Sequence, residues 1–508
     1  MKENKISKGK EILAILLLTM VIATGTFAWI VWSSKDNTKM NVTIGDLADV
    51  SFKTGNDINI SNLSPSFYYD DGALTEFSVR KKKGLTTELN TSIYLDITSI
   101  SDELKNDNFK YVLLSSTDGN TYNEVISSSF KDASIGKLSI VTDTPLTDGK
   151  TYYKFYIWID GNNENNETMQ GKSLKGTLNV EVSTPPVNAV TLVEGLDKGT
   201  TGDSGSGVYK VEHSAIPASS SATGSEIPAS TDYRYYGASP NNYICLDMEG
   251  QSTCPDKHLY RIIGSIYEEK ENTNRIKVIK ATPLTDGTTS AFSWDYKSDG
   301  SSDNIWATIT SGNYSNSLTS GSTLMQLLNS GAWWNGTSGS YYNDSNTTTT
   351  VNFTNYKLSD KAKSYITTSR YYLGGYNNNA PLTNKMYGYE RGTLRYNTDR
   401  PLYWEGMVGL MYPSDYGYAA GNSCVSGTKL YDYDGGCINK DWIYNSNTDW
   451  WLMTPGSDSS GSVLNVYYDG LVYRYCNPAL AVSPVFYLTP GVSITEGDGT
   501  SAAPYILS

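Results

Sequence analysis

The sequence predicts a mainly β protein with an α+β C-terminal domain, led by an N-terminal transmembrane or signal helix. Three observations support this. An apolar run without a single charge extends from Ile12 to Trp32. The composition then shifts to Ser, Thr, Asn and Gly with 40 Tyr, which favours strands and turns over helices. Short alternating segments also recur between turn signals, the pattern of stacked antiparallel strands.

The first element is the apolar run. It is long enough to cross a bilayer, which takes roughly 20 residues for ~30 Å of hydrocarbon. Lys2, Lys5, Lys8 and Lys10 precede it and favour a cytoplasmic N-terminus, so the chain after Ser33 is expected outside the cell. Residues 1–35 are compatible with two fates. A signal peptide would be cut after Thr26-Phe27-Ala28, whereas an anchor would use the whole run with Trp29 and Trp32 at the interface. An extracellular address permits disulfides. Of the five cysteines, Cys245 with Cys254 and Cys424 with Cys437 are the natural local pairs, and Cys476 is left over. Zinc is the rival reading, but the spacings are not those of paired CxxC knuckles, and His213 and His258 sit in no ligand motif.

The 508 residues are too many for one ordinary core. Residues 40–183 read as a β-sandwich domain, Ig-like or jelly-roll. Its strands are expected at 92–97, 111–114, 151–159 and 176–182, with turns at Asp118-Gly119 and Asp148-Gly149. Asp160-Gly161-Asn162 opens a loop whose oxygens recur at calcium-loop spacing. The sixth position is Asn165, not the glycine of an EF-hand, so a plain hairpin loop is expected. Residues 184–230, rich in Ser, Gly and Thr, read as a linker.

Residues 231–508 read as an α+β domain. Segments 259–266 and 275–280 are expected to pair as strands. Ser322 and Ser359 are expected to cap short helices at 322–329 and 359–366, the first stopped by Gly331. Residues 462–476 form the strongest hairpin signal, turning at Asp469-Gly470, with 480–488 expected beside it. Thr144 to Gly149 recurs as Thr282 to Gly287, which reads as a reused turn and not a repeat.

Two resemblances add to this reading. Thr24-Gly25-Thr26-Phe27-Ala28-Trp29, Phe155-Tyr156-Ile157-Trp158-Ile159-Asp160-Gly161 and Met169-Gln170-Gly171-Lys172 resemble the TasA/camelysin-like exported proteins of Gram-positive bacteria. That implies an exported β domain in the envelope or in biofilm fibres. Asn241 to Cys245, Leu259 to Gly264, Val408 to Ala419, Trp450 to Pro455 and Val482 to Leu488 resemble a domain of unknown function from surface proteins of gut Gram-positive bacteria. Its ending is similar to C-type-lectin-like and formylglycine-generating-like domains, an analogy of fold that transfers no function. The usual lectin calcium tripeptides are absent, and so is any His-Glu-x-x-His motif.

The functional expectation is therefore a surface protein presenting a non-catalytic, adhesive domain for a glycan or protein ligand. A net charge of -13 without basic clusters argues against nucleic acid. No cofactor, metal or catalytic residue is assigned. Adjacent aromatic pairs are the binding candidates, because neighbouring strand residues face opposite sides and one ring of each pair can reach solvent. Tyr467, Tyr468, Tyr473 and Tyr475 around the hairpin turn, with Trp333 and Trp334, are the chosen residues. Asp415 is read as structural, bonded to the turn that follows it. A matrix fibre that self-associates is the first alternative, and a surface hydrolase using Asp415 the second.

Overall fold

The computed structural model describes residues 40–507 except 45–46, 86–87, 163–165, 252, 298, 300, 311–312, 315–316, 345, 378–379 and 477–478. The expected anchor or signal segment, 1–35, and part of the Asp160 loop lie outside the described residues. Among the described residues no helix is long and apolar enough to cross a membrane. The chain is mainly β and divides into two compact units, residues 1–185 and 186–508.

In the first unit, one sheet runs in the order Met40–Ile44, Ala48–Phe52, Ala73–Lys81, Lys150–Asp160, Phe109–Ser116, Asn123–Ser129. A second runs Asp57–Ile60, Leu174–Ser183, Asn90–Ile100, Gly136–Pro145. Strand alternation explains the core between them. Tyr111 and Leu113, then Tyr153, Phe155 and Ile157, join Ile93, Leu95, Leu178 and Val180 in one buried cluster. The intervening Val112, Leu114, Tyr156 and Trp158 form a separate cluster of their own. The turn at Gly119 has φ 76, a conformation that favours glycine, as the Asp118-Gly119 signal required. Asp160 pairs with Lys110 at 2.6 Å and accepts from the backbone N–H of Asn162 at 3.0 Å, so its oxygens serve the turn.

The second unit begins earlier than expected. Residues 184–230 are not a linker. Val187–Asn188 pairs with Ser493–Glu496, Ala189–Gly195 is helical, and Gly207–His213 forms a full antiparallel ladder with Ser230–Tyr236. Small polar residues masked this, because the buried side of that strand is carried by only Val208, Tyr209, Val211 and His213. The main sheet continues through Tyr505–Leu507, Tyr243–Cys245, Leu259–Glu268, Thr273–Lys280, Val485–Leu488 and Ile366–Thr367. The expected pairing of Leu259–Glu268 with Thr273–Lys280 is present. The expected helices are Thr323–Asn329 and Asp360–Ser364, each capped by a serine hydroxyl that accepts a backbone N–H at 3.1 Å.

Three features depart from expectation. The hairpin strands are Ser462–Val466 and Val472–Cys476, so Tyr467 and Tyr468 belong to a five-residue loop and not to a strand. Residues 480–488 do not run beside the hairpin. Ala479–Leu480 pairs with Phe292–Ser293, while Val485–Leu488 enters the main sheet. Further helices occupy Thr383–Glu390, Pro413–Ala419, Asn422–Gly427 and Gly435–Ile438. Their Gly- and Tyr-rich sequences have poor helix propensity, and burial on the rest of the unit compensates. The core is unusually rich in tryptophan. Trp294 meets Trp306 at 5.0 Å and Trp451 at 5.9 Å, and Trp306 meets Trp404 at 6.0 Å.

Candidate functional site

Two disulfides form as the local pairing suggested, Cys245–Cys254 and Cys424–Cys437. The second closes the loop that carries Tyr431. Asp434 accepts the N–H of Gly436 at 2.8 Å and caps the short helix holding Cys437. This loop lies against the hairpin strand Val472–Cys476, where the Tyr431 and Tyr473 rings meet edge to face at 5.0 Å. Tyr473 also meets Tyr467 at 5.7 Å and 84°, and Tyr467 meets Tyr468 at 4.5 Å. Tyr444 donates its hydroxyl to the carbonyl of Tyr468 at 2.9 Å. Tyr468 is 53% exposed, and the rings of Tyr431, Tyr444, Tyr467 and Tyr473 are half-buried.

The loop is held from below. Gly470 has φ 89, and a Cβ there would come within 2.3 Å of Ile438. Tyr416, deep in the unit, donates to the Gly470 carbonyl at 3.0 Å. Asp449 accepts the N–H of Tyr468 at 2.6 Å, and Asp469 that of Leu471 at 3.1 Å. The face is thus tyrosine rings and carboxylates on a braced loop.

The expected binding residues separate accordingly. Tyr467, Tyr468 and Tyr473 come together. Tyr475 pairs with Val463 through its backbone, and its side chain lies outside what the structure describes. Trp333 is corrected: at 3% exposure it belongs to the core, because its helix Ala332–Asn335 turns that face inward. Trp334 is half-buried against the same core, with Lys363 over its ring at 5.1 Å. Tyr431 and Tyr444 were missed. Neither has an aromatic neighbour in sequence, and only the Cys424–Cys437 closure hinted that Tyr431 returns to the hairpin. Also unforeseen is an open groove of about 780 Å³ flanked by Tyr296, Lys297 and Tyr342 and floored by Gln326, Ser330 and Asn335.

Asp415 is structural, but it bonds back to the residue before its helix and not to a turn that follows it. Its Oδ2 accepts the Tyr412 N–H at 3.0 Å, closing the first turn of Pro413–Ala419. The same oxygen pairs with Lys277 at 2.5 Å, and Oδ1 pairs with Arg234 at 2.9 Å. Arg234 continues to Asp232 at 2.7 Å, and Asp232 to His213 at 2.8 Å. Burial alone would raise the Asp415 pKa, but Lys277 and Arg234 outweigh it and hold the carboxyl below its usual range. Burial pulls His213 down, which favours the neutral imidazole, and that ring stacks on Tyr387 at 3.7 Å. Beside this chain, Glu390 accepts the Ser414 N–H at 2.9 Å and its hydroxyl at 2.6 Å, and burial pushes its pKa up to about 7. Buried charges that must be paired make such networks features of architecture first.

Among the described residues no group of His, Cys, Asp or Glu is arranged to hold a metal ion. No protein-family model matches the chain, and no curated protein is similar to it in sequence.

Proposed function

We propose that the chain is a cell-envelope surface protein of a Gram-positive bacterium. A sandwich-like β stalk follows the N-terminal membrane or signal segment, and the second unit, C-type-lectin-like in pattern, is a non-catalytic recognition head for a glycan or protein. The observation that carries this reading is the tyrosine face of the hairpin. Its rings stand at the surface on a loop braced by Tyr416, Asp449 and the Cys424–Cys437 closure. Rigid aromatic rings bordered by hydrogen-bonding groups supply contact area at low ordering cost. The two disulfides accord with an oxidising compartment. The hydrolase alternative is weakened because Asp415 is 2% exposed and committed to two cations.

A glycan-array screen of the full chain tests this, with Tyr468→Ala/Tyr473→Ala alongside. Binding that the double variant loses supports the head and places its face. Binding that the variant keeps moves the site to the groove beside Tyr342. Absence of any glycan ligand leaves a protein partner to be sought by the same variant.

One observation favours the fibre reading as a second possibility. The seven-residue strand Asn123–Ser129 lies at a sheet edge with one charge, Glu124, and no proline or lysine. Such edges are templates for strand addition. Concentration-dependent assembly that Val125→Lys suppresses would support it.

A further inference from the structure

The hairpin face has a more specific chemistry than general recognition. Tyr473 stands nearly at right angles to two rings, at 82° to Tyr431 and 84° to Tyr467. Three rings so placed form the corner of a box, with π faces turned in more than one direction. Each face carries the negative side of the ring quadrupole.

Three carboxylates stand near the rings. Asp469 sits in the loop, Asp449 holds the Tyr468 N–H, and Asp432 follows Tyr431. Two of the flanking cations are already engaged: Lys429 pairs with Asp432 at 3.8 Å, and Arg474 pairs with Asp458. Burial, and then the Asp469 charge, push the Tyr473 hydroxyl pKa up.

Elsewhere in this unit the chain covers its aromatic rings with its own cations. Arg391 lies over Tyr387 at 3.6 Å, and Arg261 over Trp442 at 4.3 Å. Among the described residues no Lys or Arg stands over Tyr431, Tyr468 or Tyr473. The face therefore sets rings that no cation covers beside carboxylates.

We infer that this corner is a binding subsite for a quaternary ammonium group, the trimethylammonium of a choline-bearing ligand. The inference rests on the recognition reading above and names its ligand class. A quaternary ammonium is weakly hydrated and carries apolar methyl groups, so it loses little on leaving water and gains ring contact together with charge. An ammonium with three N–H donors is more strongly hydrated and so loses more on leaving water. An anionic ligand would meet Asp432, Asp449 and Asp469.

The test is calorimetric titration of the full chain with choline chloride, and with 3,3-dimethylbutan-1-ol, which has the same shape and no charge. Choline is expected to bind at least tenfold more tightly than the neutral isostere. Tyr473→Leu should weaken choline binding at least tenfold, while Tyr473→Phe, which keeps the ring, should retain it. Far-UV circular dichroism checks that both variants fold. Phosphatidylcholine vesicles and a soluble choline-bearing polymer, run against each other, separate a lipid source from a polymer source.

Equal affinity for choline and its isostere, or choline binding untouched in a folded Tyr473→Leu, overturns the inference. Glycan-array binding lost in Tyr468→Ala/Tyr473→Ala, with no response to choline, overturns it too while the recognition reading stands. Silence in both assays overturns the inference and leaves the recognition reading to a protein partner.

Discussion

Asp415 and Lys277 lie 138 positions apart in the chain and meet at 2.5 Å with both side chains 1% exposed. One belongs to a helix and the other to the main sheet, so their contact ties the two together inside the second unit. Asp415→Ala would leave Lys277 and Arg234 buried without their carboxylate. The expected loss is about 3–5 kcal/mol by urea denaturation. Glu76→Ala, which breaks the exposed pair with Lys53 in the first unit, should cost about 1 kcal/mol or less.

Glu390 makes stability depend on pH in the opposite sense to Asp415. Burial raises its pKa from 4.5 to about 7. The folded protein therefore holds that proton more tightly than the unfolded chain does. The contribution is complete below pH 4.5 and is lost as pH rises through about 7, by about 3 kcal/mol at 1.36 kcal/mol per unit. Asp415, whose pKa is lowered from 3.8, contributes above that pH and loses its contribution as the solution is acidified further. Unfolding midpoints at pH 4.5, 6 and 7.5 should decline in the parent and flatten in Glu390→Gln.

Opening the disulfide loop should affect stability and recognition together. Cys424 and Cys437 are 13 positions apart, a loop for which closure is worth about 3 kcal/mol. Cys424→Ser/Cys437→Ser should lose about 2–4 kcal/mol and release Tyr431 from Tyr473. Ligand titration of the folded variant should show weaker binding than the parent. Cys245→Ser/Cys254→Ser, which opens a different loop, should leave binding unchanged.

Gly470→Ala combines a positive φ with a Cβ 2.3 Å from Ile438. The expected cost is about 1–3 kcal/mol, from strain and overpacking together. Because Tyr467 and Tyr468 precede this residue, ligand affinity should fall as well.

Trp333 and Tyr468 looked alike in sequence and should behave in opposite ways. Trp333→Ala opens a core position and should cost about 3–5 kcal/mol. Tyr468→Ala, at a site 53% exposed, should change stability by about 0.5 kcal/mol or less and act on binding alone.

Much of the fold was legible because alternation and turn chemistry are local. Four strands of the first unit, the serine-capped helices and the Asp469-Gly470 hairpin follow from residues within a few positions of one another. The head was less legible where distant residues decide. Ser230–Tyr236 takes Gly207–His213 as its partner across a Ser- and Gly-rich stretch that alone reads as a linker. Arg234, Lys277 and Asp415 are each ordinary surface types until folding removes water from all three. At the proposed face, aromatic doublets picked out Tyr467 and Tyr468. They also selected Trp333, because a doublet says that two rings diverge and not which of them meets solvent.

The pairing of Val187–Asn188 with Ser493–Glu496 has a consequence for how the head is made. A chain delivered from its N-terminus presents residue 187 some three hundred positions before its partner arrives. Tyr243–Cys245 likewise waits for Tyr505–Leu507, its parallel neighbour. The main sheet therefore closes only once residues 493–507 have been made and meet strands made far earlier. A nascent head would spend its synthesis as an open sheet, and premature release would leave those edges available to any other chain.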